Sequence, residues 1–161
     1  MRPWEIDDKW ARGHGKEIAK IIRSLAGEIL YVRAADDDED IHKATDIVVG
    51  VKEGAIACRI RRPGYLKVFG DMTIRYSRPT GTSTEFEKIK KGFGRWYLYM
   101  WTVWVGEDEK IESWVFIDLN CLRASELLDN PKPIYNPNGT SFIAISLEDL
   151  EKAGCIVRQF P

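Results

Sequence analysis

The chain has little cysteine, little histidine and no long apolar run, and each shortage removes a class of protein. Only three of the 161 residues are cysteines, Cys58, Cys121 and Cys155. Their number is odd and no CxxC or Cys/His spacing is present, which leaves neither a disulfide framework nor a zinc site and points to a reducing, cytoplasmic compartment. The two histidines, His14 and His42, have no Cys or Ser nucleophile at a diagnostic spacing, which argues against a hydrolase triad. No stretch approaches the roughly 18 uninterrupted apolar residues of a membrane-spanning helix, and MRPWEIDDKW holds no apolar core of signal-peptide length, so no membrane partner is expected. The acidic run at residues 36–40 lacks the glycine and distal glutamate of a calcium-binding loop and reads as solvated. With no repeat or linker to divide it, the chain is expected to be one globular domain over residues 1–161.

Net charge is also in short supply. The 24 Lys and Arg nearly balance the 25 Asp and Glu, for a total of −1, and a sum near zero lacks the strongly basic footprint of a phosphate binder. The charge is nevertheless segregated. Between Arg59 and Arg95 there are ten basic residues and three acidic ones, a local balance of +7, which leaves −8 for the rest. Separation of this kind creates a field that the total conceals, and a positive segment suits a phosphate backbone.

The apolar pattern then sets the elements. Ile18, Ile21, Ile22, Leu25 and Ile29 recur at helical spacing after Gly13-His14-Gly15-Lys16, predicting a first helix over about 15–30. Three runs of β-branched character follow, at 45–49, 55–61 and 72–77, each closed by Gly or Pro, and they predict three successive strands. Alternation puts Ile56, Cys58 and Ile60 on one face of the second run and Ala57, Arg59 and Arg61 on the other, with Arg75 on the corresponding polar face of the third. One face is thus expected to be core and the other polar and basic. Thr80 to Thr84 offer N-caps for a helix over about 85–91. The aromatic run from Arg95 to Val105 predicts a hairpin through Gly106 into a buried strand at 111–119. A short helix near 122–129, a turn at 136–139, a strand at 141–145 and a capped helix at 146–153 complete the pattern. Trp96, Tyr97, Tyr99, Trp101 and Trp104 read as core and a dimer face, with base stacking as the rival reading.

At this point the chain resembles the PD-(D/E)XK nuclease superfamily, the restriction-endonuclease-like fold shared by Holliday-junction resolvases and many phage phosphodiesterases. The residues that carry the resemblance are Gly13 to Glu17, Thr45-Asp46, Ile56 to Arg61, and the later pieces Arg61-Arg62-Pro63, Thr73-Ile74-Arg75 and Thr84-Glu85. It implies an α/β protein with an α-β-β-β-α-β core and a central mixed sheet over about 13–119, and C-terminal strand and helix additions over about 120–161. It also implies action on nucleic acid, DNA foremost, with Mg²⁺ or Mn²⁺ held by Glu17, Asp46 and Glu85, and, by analogy alone, a homodimer. In such families the metal polarises the phosphate and activates water while a lysine orients that water.

The chain departs from this pattern at the third element. Where the superfamily has Asp or Glu, any residue, then Lys, the strand offers Arg59-Ile60-Arg61, and arginine neither ligates a metal nor acts as a base. Two readings stand. In one, Glu85 supplies the missing carboxylate and Lys88 the cation one turn on, giving a catalytic set of Glu17, Asp46, Glu85 and Lys88. In the other, catalysis is lost and Arg59, Arg61, Arg75, Arg78 and Lys91 bind phosphate on an inherited scaffold, as a DNA-binding or protein-interaction module.

Overall fold

A Thr-x-x-Glu signature, a Pro-Gly turn and an aromatic hairpin position most of the chain's structure. A computed structural model describes residues 9–34, 47–51 and 56–160. The chain divides into two compact units, Met1–Gly54 and Ala55–Pro161.

In the first unit, helix α1 (Gly15–Ser24) is followed by a single turn, α2 (Ala26–Ile29). Leu25 between them is fully buried, as its place in the apolar stripe requires. Strands β1 (Leu30–Ala34) and β2 (Ile47–Val51) form an antiparallel pair, with Leu30 opposite Val51 and Ala34 opposite Ile47. The end of the expected first helix is therefore strand from Leu30 onward. Asp46 and the acidic run 36–40 lie outside the described residues.

The second unit is mixed α/β and has two sheets. Strand β3 (Ile56–Arg61) runs parallel to β5 (Trp96–Val105), which forms a hairpin with β6 (Asp108–Asp118), and β9 (Ile156–Phe160) closes this mixed four-stranded sheet in the order β3-β5-β6-β9. The other sheet is antiparallel, with β4 (Asp71–Ser77), β8 (Ser141–Ser146) and the short β7 (Ile134–Tyr135) in the order β4-β8-β7. Between them in sequence come α3 (Tyr65–Phe69), α4 (Glu85–Lys90), α5 (Leu119–Ala124), a 3₁₀ turn (Glu126–Leu128) and α6 (Leu147–Lys152).

The three strand runs expected to be sheet neighbours lie in three different sheets: 47–51 pairs with β1, 56–61 with β5, and 72–77 with β8. Period-2 patterning identifies a strand but carries no information about its partner, and here the long apolar β5 is the partner of β3. Residues 120–160, expected as additions to a core, supply strands to both sheets.

The core gathers Met72, Ile74, Ile143 and Ile145 of the antiparallel sheet with Tyr97, Tyr99, Trp101, Val115 and Ile117 of the mixed sheet. Ile89, Leu122 and Leu150 pack on it from the helices. Tyr99 is fully buried and its hydroxyl meets the Thr73 backbone N–H at 3.2 Å and the Thr73 hydroxyl at 3.0 Å, tying one sheet to the other. Trp96, Tyr97, Tyr99 and Trp101 are thus core residues, whereas Trp104 is exposed. No helix among the described residues is long and apolar enough to cross a membrane.

The cysteines fall into two environments. The Cys121 and Cys155 sulfurs lie 2.9 Å apart, and burial together with the hydrogen bond shared with Cys121 pushes the Cys155 thiol up to about 12, while Cys58 is exposed. Titration of the native protein with a thiol-specific disulfide reagent is expected to modify Cys58 readily and Cys155 only after unfolding, since a neutral buried thiol is a poor nucleophile. Equal modification rates at Cys58 and Cys155 would refute this.

Candidate functional site

Arg59 and Arg61 sit opposite Tyr99 and Trp101 in the parallel β3/β5 register, so they share a face with core aromatics. The expected division of β3 into a core face and a polar face is not found. Arg59 and Arg61 are half-buried toward the antiparallel sheet, Ile56 and Ile60 are half-buried on the other face, and Ala57 and Cys58 are exposed. A guanidinium is tolerated there because it is met by polar groups.

The chief of these is Glu85. A capping box fixes its position: Thr84 Oγ1 accepts from the Glu87 N–H at 3.3 Å and the Glu87 carboxylate accepts from the Thr84 N–H at 2.8 Å, starting α4 at Glu85. One Glu85 oxygen accepts from Arg59 Nη1 at 2.8 Å and from the Arg75 backbone N–H at 3.0 Å, and the other accepts from the Tyr97 hydroxyl at 2.5 Å. Burial, then the adjacent Glu85 charge, holds the Tyr97 phenol well above its usual pKa, so it remains a donor. Burial opposes the charge on Arg59, but Tyr97, Glu85 and Tyr99 outweigh it and raise the guanidinium pKa.

Arg75 is the reverse case. Burial, followed by the positive charges of Arg59 and Arg78, lowers its pKa, and Glu85 offsets this only in part. Among the described residues, Arg61, Arg75 and Arg78 form no ion pair with a carboxylate. The cluster is therefore positive beyond what Glu85 neutralises.

These groups line adjoining cavities. One of about 320 Å³ holds Arg59, Arg61 and Arg75 with Tyr65, Thr73 and Asn136. A second, about 270 Å³, shares Arg59 and Arg75 and adds Arg78, Glu85 and Cys58. A third, about 410 Å³ and mostly apolar, shares Arg78 and Glu85 and contains Lys88, Ile89 and Phe93.

The structure thus brings together Arg59, Arg61, Arg75, Arg78, Glu85 and Lys88 of the expected site residues. Lys91 caps the end of α4, exposed, and is not part of these linings. Glu17 belongs to the first unit, where its carboxylate accepts from the ring of the buried His14 at 3.0 Å. Asp46 lies outside the described residues. Sequence reasoning passed over Tyr65, Asn136, Thr140 and the role of Tyr97. Tyr65 was detectable in principle, since Pro63-Gly64 and Gly70 bracket a short segment, and both glycines adopt positive φ at the ends of α3.

The arginine cleft by itself does not suit a divalent cation. Both Glu85 oxygens already accept from donors, the surrounding charges are positive, and no group of three His, Cys, Asp or Glu is arranged for a metal among the described residues. Comparison of the chain with known protein families, curated proteins and solved structures finds no match.

Proposed function

We propose that the protein binds nucleic acid, DNA foremost, through phosphates held in the arginine cleft of its second unit. The observation that carries this reading is the gathering of Arg59, Arg61 and Arg75 in one cavity and of Arg59, Arg75 and Arg78 with Glu85 in the adjoining one. Guanidinium groups offer forked donors that match phosphate oxygens, and a recessed cluster strengthens each contact by excluding water. With four arginines set against Glu85 and against Asp71 beside Arg61, about two positive charges are left over, and the log of affinity is expected to fall against the log of salt with a slope of roughly −2. Arg75→Ala should weaken binding about tenfold, as loss of a charge-assisted hydrogen bond does, while Lys110→Ala on exposed β6 should leave it unchanged. Fluorescence anisotropy over a salt series tests both, and salt-independent binding or an unaffected Arg75→Ala variant would sink the reading.

Metal-dependent phosphodiester cleavage is the second reading, and it rests on the resemblance of Gly13 to Glu17, Thr45-Asp46 and Ile56 to Arg61 to the PD-(D/E)XK pattern. On this reading Glu17 and Asp46 would hold Mg²⁺ or Mn²⁺, and the arginines would grip the backbone. Incubation with plasmid and single-stranded DNA plus either metal, beside Asp46→Ala, is the test. Metal-dependent cleavage lost in Asp46→Ala supports catalysis, and absence of cleavage by a protein that binds DNA refutes it.

A further inference from the structure

The cleft has aromatic groups at both ends as well as cations in the middle. At one end α3 places Tyr65 and Phe69 one helical turn apart, with ring centroids 5.7 Å from each other, and the Arg61 guanidinium lies 4.1 Å from the Tyr65 ring centroid. Both rings line the cavity of about 320 Å³, yet they are 39% and 59% exposed, so they present surface to a ligand instead of filling the core. At the other end Phe93 lines the apolar cavity and is 65% exposed. The arginine-lined cavity lies between the two and shares residues with each.

A duplex keeps the faces of its bases stacked inside and exposes only their edges in the grooves, so it would leave these rings without a stacking partner. A single strand offers an unstacked base on either side of a phosphate. From this order of ring, cation and ring we infer that the cleft takes single-stranded nucleic acid, with a phosphate at Arg75 and Arg78 and the flanking bases on Tyr65 with Phe69 and on Phe93. Stacking on exposed rings is indifferent to base identity, and the site is accordingly one for a strand and not for a particular sequence. A pocket of this volume is in the range of small-ligand sites and accommodates about one nucleotide. The inference rests on the phosphate-binding reading and specifies the form of nucleic acid.

The test compares a labelled oligothymidylate with a hairpin duplex at one ionic strength, using the intact protein, the double variant Tyr65→Ala/Phe69→Ala, Phe93→Ala and Arg75→Ala, with a thermal melt of each variant to verify folding. The single strand is expected to bind about tenfold more tightly than the duplex. The aromatic variants should lose about tenfold toward the single strand and change duplex binding by less than about twofold, the scale of one lost stacking contact. Arg75→Ala should weaken both. Equal affinity for the two forms, or folded aromatic variants that bind the single strand as the wild type does, overturns the single-strand inference while the phosphate reading survives. Failure to bind either form at low salt overturns both.

Discussion

Replacing Glu85 with alanine is expected to lower stability by about 3 kcal/mol, with a corresponding drop in the urea midpoint. The carboxylate receives three donors, Arg59 Nη1, the Arg75 N–H and the Tyr97 hydroxyl. Its removal leaves a largely buried guanidinium and a buried phenol with no acceptor. Breaking one partner of a buried ion pair costs about 3–5 kcal/mol, and each orphaned donor about 1–3. The side chains of Arg59 and Glu85 are 22% and 26% exposed, so some solvent screening remains and the low end of that range applies. Glu85→Gln keeps an acceptor oxygen and the shape, and should cost only about 1–2 kcal/mol.

The same substitution tests the role of Glu85 as the group that holds the arginines. Glu85→Gln adds a net positive charge to the cleft and is expected to tighten nucleic-acid binding at low salt, and weaker binding would count against that role. A Glu85→Ala protein as stable as the wild type would refute the network described above.

Trp101→Ala is expected to cost about 4 kcal/mol, the largest loss from any single substitution considered. Trp101 is 1% exposed, lies in the middle of β5 and packs edge-on against Tyr99 with 4.9 Å between ring centroids. Truncation of a buried aromatic to alanine removes its transfer free energy and leaves a cavity that the surrounding sheets fill only in part, typically about 3–5 kcal/mol in all. Trp101→Phe, which keeps most of the apolar area, should cost less than half as much. Against a total stability of about 5–15 kcal/mol, the alanine variant sits near the edge of folding. Equilibrium denaturation followed by circular dichroism measures both, and a loss under about 1 kcal/mol for Trp101→Ala would show that the core is not organised around this residue.

Local elements of this protein are legible in the chain because their determinants are local. The alternation in residues 56–61 and 72–77, the Gly106 hairpin, Thr84 before Glu85, and Ser146 before the last helix each act over a few residues, and each element is found within three residues of its expected place. Short elements with weak signals were not legible. Leu30–Ala34 follows a helical pattern without a break, α3 has only five residues, and β9 is a five-residue edge strand whose single partner is β6.

The candidate site divides along the same line. The segregation of ten basic residues between Arg59 and Arg95 is a property of the chain and already marked the basic segment. Which way those residues face is not, because a strand's two faces are equivalent until a partner covers one. Pairing of β3 with β5, joined across the intervening β4 and α4, turns Arg59 and Arg61 inward beside Tyr97 and Tyr99 and brings them to Arg75 on a strand of the other sheet. The sequence by itself determined the strands, the caps and the local charge. Only the tertiary structure decided that the arginines converge around Glu85 between aromatic walls, because that convergence depends on contacts between residues far apart in the chain, which no local preference encodes.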